Sequence, residues 1–343
     1  MKNKIFFIAE ISANHCGNFQ LAKKLIKCAY LNGANAVKLQ TYTANTMTLK
    51  SNKKYFKIKE GLWKGYTLWD LYSKAYTPLE WHKDLFKYGK SLGIKVFSTP
   101  FDNTAVDFLE KLKCPMYKIA SFEMTDLNLV KKISQTRKPI IISTGMANLE
   151  EIETTYKIAK KNGAKDITLL YCVSNYPSSI NDFNLHNIRI LKEKFKCKVG
   201  ISDHSIDNRV AIAAIASGAE VIEKHIALDN QKKGFDIDFS LKGKEIKKLR
   251  NDLDDVFKLL GKESFFRNKS ENKSKIFRRS IFTTKDIKKG EKFTKDNIRV
   301  IRPGYGLAPK YYNKLLNRKS AINISKDEPL KPIVLKNFKT IKF

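Results

Sequence analysis

The sequence lacks several features that would assign it to common protein classes. No apolar run approaches about 20 residues, the length that a helix needs to cross a membrane, so no membrane-spanning segment is predicted. The five cysteines are scattered and include no C-x-x-C pair, so neither a zinc knuckle nor a disulfide framework is indicated. Reduced thiols of this kind fit a cytoplasmic protein.

Acidic residues are scarce relative to basic ones. The chain has 34 Asp and Glu against 66 Lys and Arg, a formal net charge of +32. Such a charge can indicate a nucleic-acid or anionic-membrane partner. The excess is nearly all lysine, spread along the chain, with no Arg-rich tract. We therefore expect no nucleic-acid or membrane partner, only a cationic surface that attracts an anionic substrate. A basic nucleic-acid-binding protein is the alternative from a different functional class.

The 343 residues, 42% of them hydrophobic, contain short apolar segments that alternate with longer amphipathic ones. The start of the chain is basic and then apolar, but Glu10 interrupts it too soon for a signal peptide, and a first strand is predicted. Eight strands are predicted at residues 5–10, 36–40, 95–99, 116–121, 139–144, 167–172, 198–202 and 220–225. Strands each followed by a helix predict an α/β fold, a (β/α)8 TIM barrel. An open doubly wound sheet is the alternative, but it usually carries a Gly-rich phosphate loop, which is absent.

Domain boundaries follow from composition. Residues 1–263 contain the barrel pattern, residues 264–280 are polar and charged and predict a linker, and residues 281–343 predict a small β-rich domain. One connection, residues 42–80, is unusually long and rich in Trp and Tyr. Loops of this length on the catalytic face of a barrel are often functional, but an insertion that only packs explains it equally well.

Every predicted strand ends in polar side chains, and the active site of such a barrel lies at those ends. The runs GISDHS (200–205) and VIEKH (221–225) place His204 and His225 at two neighbouring ends, together with Asp203 and Lys224. Two such His, with Glu10, suit a sparse catalytic metal site that leaves positions open for water and substrate. Each His alone could equally be a helix-capping or core residue.

Two lysines lie inside otherwise apolar strands. Lys38 (AVKLQ) and Lys118 (YKIAS) need an anionic partner there, because an unpaired buried ammonium is costly. The hydroxyl residues that end neighbouring strands would complete a pocket for phosphate and carboxylate: Thr99, Ser121, Ser143 and Ser202. The alternative is that each lysine pairs with a glutamate of the barrel.

Motifs along the chain resemble the sialic acid synthase family. The N-terminal unit carries IAEISANHCGN, AVKLQTYT, FSTPFD, YKIASFEMTD, IISTGM, GISDHS and EKHIALD in order. The run RRSIFTTKDIKKGEKFTKDNIRVIRPGYGL resembles the antifreeze-like (SAF) domain of that family. The run 61–83 and Ser174 are most similar to the branch of pseudaminic acid synthases. The resemblance covers nearly the whole chain.

The resemblance implies condensation of phosphoenolpyruvate with 2,4-diacetamido-2,4,6-trideoxy-L-altrose, giving a nonulosonic acid and phosphate by C–O cleavage. It also implies a divalent metal, most often Mn2+, with Mg2+ or Co2+ as alternatives. Other members use N-acetylmannosamine (N-acetylneuraminate) or the D-manno diacetamido sugar (legionaminate), and both remain alternatives.

The resemblance also assigns site residues. The metal would be bound by His204 and His225, and Glu10 and Glu123 would be catalytic carboxylates. Phosphoenolpyruvate would be bound by Lys38, Thr99, Lys118, Ser121, Ser143, Tyr176 and Ser202. Asp236 and Arg302 would bind the sugar, with Arg302 inserted into the partner's site of a domain-swapped homodimer.

This sequence departs from the family pattern at a few positions. Cys16 replaces a usual Asn or Glu, and Ser174 replaces an Asn of sialic acid synthases. Phe235 replaces a common Pro before Asp236, which leaves the position of the loop that carries Asp236 open.

Overall fold

The structure is a computed structural model that describes residues 5–262, 264, 265 and 268–335. The chain divides into two compact units, Met1–Gly261 and Lys262–Phe343. Among the described residues, no helix is both long enough and apolar enough to cross a membrane.

The first unit is a closed barrel of eight parallel strands, which confirms the predicted fold class. The strands are β1 (Phe6–Glu10), β2 (Ala36–Thr41), β3 (Lys95–Pro100), β4 (Tyr117–Ile119), β5 (Ile140–Ser143), β6 (Ile167–Cys172), β7 (Lys198–Asp203) and β8 (Val221–Ala227). Each strand pairs with the next, and β1 also pairs with β8, so that Glu10 lies opposite His225. A short strand, β9 (Leu241–Lys242), extends β8 on its outer side.

Helices follow the barrel strands. They are α1 (Phe19–Leu31), α2 (Ala44–Met47), α3 (Leu68–Ala75), α4 (His82–Leu92), α5 (Asn103–Lys111), α6 (Leu127–Gln135), α7 (Leu149–Lys161), α8 (His186–Phe195), α9 (Arg209–Ala216) and α10 (Lys244–Leu260). Several begin at side-chain caps; Asp102, for example, accepts hydrogen bonds from two backbone N–H groups of the first turn of α5. The core lies between the sheet and these helices.

Successive side chains of a strand point to opposite faces of the sheet, so every second side chain points into the barrel. In β8, Glu223 and His225 point inward, whereas Ile222 and Lys224 face the surrounding helices. Both faces of the sheet are covered, so the strands are apolar on both sides except at their carboxyl ends. The polar ends therefore gather at one mouth of the barrel.

The connection between β2 and α4 carries α2 and α3. An antiparallel bridge joins Lys57 to Thr67, and the Thr67 Oγ1 accepts a hydrogen bond from the backbone N–H of Asp70 (3.1 Å), which caps α3. The connection is therefore an ordered structure rather than an irregular loop.

The second unit has its own small core. Strands β10 (Ser280–Thr283) and β11 (Ile298–Ile301) pair antiparallel, and a short helix, α11 (Tyr312–Leu315), follows. Ile281, Phe293 and Leu330 are fully buried in this core. The stretch predicted as a linker contains a 3-10 helix, Lys269–Phe277, with no buried residue.

Candidate active site

A cavity of about 400 Å³ opens at the carboxyl ends of the barrel strands. The predicted site residues that line it are Lys38, Lys118, Ser121, Glu123, Ser143, Tyr176, Ser202, His204, His225 and Asp236. Glu10 and Thr99 are fully buried and contact the Lys38 ammonium. Arg302 lies in the second unit, with an exposed side chain. The first unit thus brings together every one of its residues to which the family resemblance assigned a role in the site.

Four buried charged groups form a chain across the floor of the cavity. The Lys38 ammonium forms an ion pair with Glu10 and lies 3.7 Å from the Glu223 carboxylate. The Lys118 ammonium lies 3.2 Å from the same oxygen of Glu223. The alternative in which each lysine pairs with a barrel glutamate therefore describes this structure. Glu223 connects the two lysines, so they are held side by side.

The pKa shifts of these groups follow from burial and from their neighbours. Burial lowers the pKa of Lys38, but the charges of Glu10 and Glu223 outweigh it and the pKa is raised. Burial lowers the pKa of Lys118 and outweighs the Glu223 charge. Burial raises the pKa of Glu223, but the charges of Lys118 and Lys38 outweigh it and hold that pKa at about 2. Glu223 is therefore an anion at neutral pH.

Hydroxyl groups line the cavity beside the lysines. The Ser121 and Ser174 hydroxyls are hydrogen bonded at 2.8 Å, and the Ser202 hydroxyl donates to Glu223 at 3.0 Å. Within the described part of the chain, the buried Ser143 hydroxyl has no hydrogen-bond partner. Gly145 lies against the first pair, where an added Cβ would be 2.4 Å from the Ser121 Cβ. Ammonium and hydroxyl donors in this arrangement suit phosphate and carboxylate oxygens.

His204 and His225 face each other at the rim, with ring centroids 5.5 Å apart. The His204 Nδ1 lies 3.1 Å from the Val173 carbonyl oxygen. A carbonyl only accepts, so Nδ1 donates and Nε2 is left with a free lone pair. Burial, followed by the nearby His225, lowers the pKa of His204 to about 3, so the ring is neutral. A neutral ring with a free Nε2 lone pair suits a histidine that binds a metal.

The residues present fit a divalent metal with few protein ligands. The buried His225 Nδ1 lies 3.5 Å from the Asp236 carboxylate and has no hydrogen-bond partner in the described residues. Within residues 5–262, 264, 265 and 268–335, no group of three or more His, Cys, Asp and Glu is arranged to hold a metal ion. Two imidazoles would therefore leave most positions to water and substrate oxygen, as a catalytic site requires.

Asn14, which follows β1, holds the loop that carries Asp236 in place through hydrogen bonds. The Asn14 Oδ1 accepts from the Asp236 backbone N–H (3.3 Å), and its Nδ2 donates to Ile226 O (2.9 Å) and Ser240 Oγ (2.8 Å). The Ser240 hydroxyl in turn donates to Asp236 O (2.6 Å). This network places Asp236 beside His225 although Phe235 replaces the usual proline.

Glu10 and Glu123 have different surroundings. The Glu10 carboxylate accepts the Ser12 N–H (2.7 Å) and pairs with Lys38. The buried Glu123 Oε2 has no hydrogen-bond partner among the residues that the structure describes, and burial raises the pKa of Glu123 to about 7. Glu123 is therefore the carboxylate that is free to accept a proton near neutral pH.

Asp203 and Lys224 do not belong to the cavity, although the strand ends predicted them there. Both side chains are fully buried outside the barrel, where the Lys224 ammonium donates to Asp203 Oδ2 (2.8 Å) and to Ser205 O (2.6 Å). Successive strand residues point to opposite faces, so the neighbours of inward His204 and His225 must point outward.

Two residues of the site were given no role by the sequence. Glu223 belongs to the run VIEKH and Asn14 to the run IAEISANHCGN, and both were only polar residues at strand ends. The period-2 pattern could have found Glu223, which lies two residues before His225 and therefore shares its face. No local signal identifies Asn14, because its partners lie more than 200 residues away.

Both units of the chain match models of known families. Residues 25–265 match the model of the NeuB family, and residues 278–332 match the SAF domain. A pseudaminic acid synthase of Campylobacter jejuni is 43% identical over 96% of this chain and 96% of its own. An N,N'-diacetyllegionaminic acid synthase of the same species is 40% identical over 95% of this chain and 98% of its own.

Solved structures agree with this likeness. A crystal structure of an N-acetylneuraminic acid (sialic acid) synthetase from Leptospira borgpetersenii, in complex with citrate, is 32% identical with a TM-score of 0.72. It covers 79% of this chain and 90% of its own.

Proposed function

The chain belongs to the NeuB family, and on that basis we propose that it condenses phosphoenolpyruvate with 2,4-diacetamido-2,4,6-trideoxy-L-altrose. The products are pseudaminic acid and phosphate. The observation that carries the proposal is a single cavity in which two lysines lie side by side and two histidines face each other. The full-length identity to a pseudaminic acid synthase supports the choice of sugar.

The lysine end of the cavity receives phosphoenolpyruvate. Lys38 and Lys118, with the hydroxyls of Ser121, Ser143 and Ser202, bind its phosphate and carboxylate. Their role is orientation and neutralisation of charge. The unpartnered Ser143 hydroxyl supports this role, since a buried donor without a partner is costly until a ligand accepts from it.

His204 and His225 hold a divalent metal, for which we propose manganese, with magnesium or cobalt as alternatives. When bound there, it supplies Lewis-acid polarisation of the aldehyde oxygen of the open-chain sugar. Asp236 lies beside His225 and, with Arg302 of the partner subunit, orients the sugar.

In the reaction, carbon 3 of phosphoenolpyruvate forms the new bond to sugar carbon 1, and the aldehyde oxygen takes up a proton. Water adds to carbon 2, and Glu123 accepts its proton. The bond between carbon 2 and the bridging oxygen then breaks, the leaving phosphate takes the proton of the carbon 2 hydroxyl, and carbon 2 becomes a ketone. Oxygen-18 in the bridging position is expected in the released phosphate. Its retention in the sugar acid would exclude C–O cleavage.

The proposal is tested by offering the purified protein phosphoenolpyruvate, manganese and one sugar at a time. The panel is the L-altro diacetamido sugar, its D-manno counterpart and N-acetylmannosamine. We expect phosphate release and a product of matching mass, fastest with the L-altro sugar. Phosphate release with none of the three would overturn the proposal.

A matched pair of variants ties the activity to the site. Lys118→Met is expected to lower kcat/KM for phosphoenolpyruvate by about 100-fold or more, because it removes a buried cation from the anion pocket. Lys161→Met, on the exposed end of α7, is expected to leave it unchanged. Equal effects would show that general surface charge, not the pocket, binds the substrate.

A legionaminate synthase is the second candidate, because the relative of that activity is 40% identical over nearly the whole chain. The same panel separates the two candidates. A preference for the D-manno sugar would replace the L-altro assignment and leave the reaction class unchanged.

We further propose a domain-swapped homodimer in the cytoplasm. The surface that receives a partner's second unit would include large apolar side chains exposed in the loops that follow β4, β5, β6 and β7: Phe122, Met146, Ile180 and Ile206. Arg302 follows β11 in the second unit and is exposed. The five free cysteines support a reducing compartment.

A further inference from the structure

One side of the cavity comes from the connection between β2 and α4. Leu68, Leu71, Tyr72 and Ala75 line the cavity from α3. Their spacing of three, four and seven residues places all four on one face of that helix. Helix α3 therefore presents a continuous face to the substrate rather than isolated contacts.

This side of the cavity is apolar. Met47 and Ile58 extend the face of α3, and we use the name apolar wall for Met47, Ile58, Leu68, Leu71 and Ala75. Within the described connection, none of the residues that line the cavity carries a charge. A sugar hydroxyl placed against the wall would lose water without gaining a hydrogen bond, which is costly.

Polar groups of the connection lie beside the wall. Tyr42 and Tyr72 line the cavity with their rings 5.7 Å apart, and the carboxylates of Asp236 and Glu123 lie close enough to raise the pKa of Tyr42 and Tyr72 respectively, after burial. A phenol hydroxyl donates a hydrogen bond and can therefore bind an amide carbonyl. Apolar surface next to phenol donors matches an acetamido group, which has a methyl and a carbonyl.

The connection is held in place before substrate arrives. The Trp63 indole N–H donates to the Phe235 carbonyl at 3.0 Å, and the Trp63 ring lies 5.8 Å from Tyr176. The Lys57–Thr67 bridge and the Thr67 cap fix the approach to α3. A preorganised wall discriminates between ligands without first having to form.

The orientation of the sugar follows from the two ends of the cavity. In the proposed reaction the aldehyde lies at the histidines and lysines, which leaves the rest of the cavity lining, the wall included, for the remote carbons. Leu71 and Ala75 are each only 7% exposed, so a group that packs against them is largely removed from water.

We propose that the apolar wall determines sugar specificity, by accepting the 6-methyl and acetamido methyl groups of a 6-deoxy diacetamido sugar and disfavouring hydroxyls there. This inference rests on the proposed function and deepens it. An apolar pocket disfavours an added hydroxyl by about 100-fold. Two 6-deoxy diacetamido sugars, L-altro and D-manno, should therefore both be preferred over N-acetylmannosamine.

The test measures kcat/KM for the three sugars in wild type, Leu71→Asn and the control Ser73→Asn. Ser73 is exposed on the opposite face of α3. Leu71→Asn is expected to reduce the preference for the deoxy sugars over N-acetylmannosamine by about 10-fold or more, with the KM for phosphoenolpyruvate unchanged. Ser73→Asn is expected to keep the wild-type preference. If Leu71→Asn does not fold, Leu68→Asn, at a partly exposed position, is measured by the same criterion.

The outcomes separate the two proposals. A wild-type preference for the D-manno sugar would overturn the L-altro assignment and support the wall. A wild-type preference for N-acetylmannosamine, or equal losses on all three sugars in Leu71→Asn, would overturn the wall. Turnover of none of the three would overturn both.

Discussion

At the mouth of the barrel Glu10 is fully buried and Glu123 is half-buried, and their neighbours give the two carboxylates different chemistry. The Glu10 carboxylate pairs with Lys38 and accepts the Ser12 N–H, whereas one Glu123 oxygen has no hydrogen-bond partner in the described part of the chain. Burial without a full complement of partners is what raises the pKa of Glu123 to about 7. At the residue scale, the difference predicts which carboxylate handles the proton of water.

Activity should therefore rise with pH through about 7, because Glu123 must be ionised to accept a proton. Glu123→Gln is expected to lower kcat by about 100-fold or more and to remove this limb of the pH profile. The measurement is kcat against pH from 5.5 to 9, with Glu150→Gln on the exposed start of α7 as the control. A Glu123→Gln enzyme with the wild-type profile would assign the proton to another group.

Gly145 has a positive φ of 49° and lies against the paired hydroxyls of Ser121 and Ser174. Gly145→Ala is expected to raise the KM for phosphoenolpyruvate by about 10-fold, because its Cβ would displace those hydroxyls. Gly218→Ala is the control, since it has a positive φ but no atom within 4 Å of an added Cβ. Both variants carry the backbone strain of about 1 kcal/mol. If the two variants bind phosphoenolpyruvate equally, strain alone explains the effect.

At the scale of elements, residues on both faces of β7 and β8 contribute to the candidate site. His225 points inward from β8 and His204 directly follows β7, while the outward residues Asp203 and Lys224 form a buried ion pair. The same lysine donates to the Ser205 carbonyl, so it fixes the chain on both sides of His204. The ion pair is therefore a positioning device for the histidine pair.

Lys224→Met should destabilise the protein by about 3–5 kcal/mol, because it leaves Asp203 charged and unpaired in the core. In the fraction that folds, manganese binding is expected to weaken by about 10- to 100-fold. Calorimetric titration of manganese and thermal unfolding measure the two effects separately. Lys224→Met combined with Asp203→Leu should recover part of the stability. Unchanged manganese affinity in a folded Lys224→Met protein would reduce the pair to a structural role.

At the scale of the whole molecule, the proposed swap makes each site depend on two subunits. Arg302→Ala and His225→Gln homodimers are both expected to be nearly inactive. Mixed subunits should regain about a quarter of wild-type activity, because half of the dimers are mixed and one of their two sites is intact. The measurement is activity after the two variants are unfolded together and refolded. No recovery would place Arg302 in the site of its own chain or outside any site.

Sequence patterns predicted the barrel well, because each strand is a local apolar run and each helix a local amphipathic one. Strand bounds differed by a few residues. β4 ends at Ile119, where a turn closes with Glu123 N–H donating to Ala120 O, and β8 continues to Ala227. The small second unit was also anticipated, and its match to the SAF domain supports that assignment.

The candidate site was less completely predictable. The residue types at the strand ends identified Lys38, Lys118 and the two histidines as candidates. The pairing of Lys118 with Glu223 joins residues 105 positions apart, and it exists only once the barrel closes. The pleat and register of each strand decide which of its side chains point into the barrel, and they place Asp203 and Lys224 outside the cavity.

The sequence by itself determined the barrel, the set of polar residues at its mouth and the resemblance to a family, because these depend on local composition and order. Only the tertiary structure decided which side chains face the cavity, that Glu223 joins the two lysines, that burial leaves one Glu123 oxygen without a partner among the described residues, and that α3 turns an apolar face toward the cavity. Each of these depends on burial and on contacts between distant parts of the chain, which set the partners and the pKa of every group in the cavity.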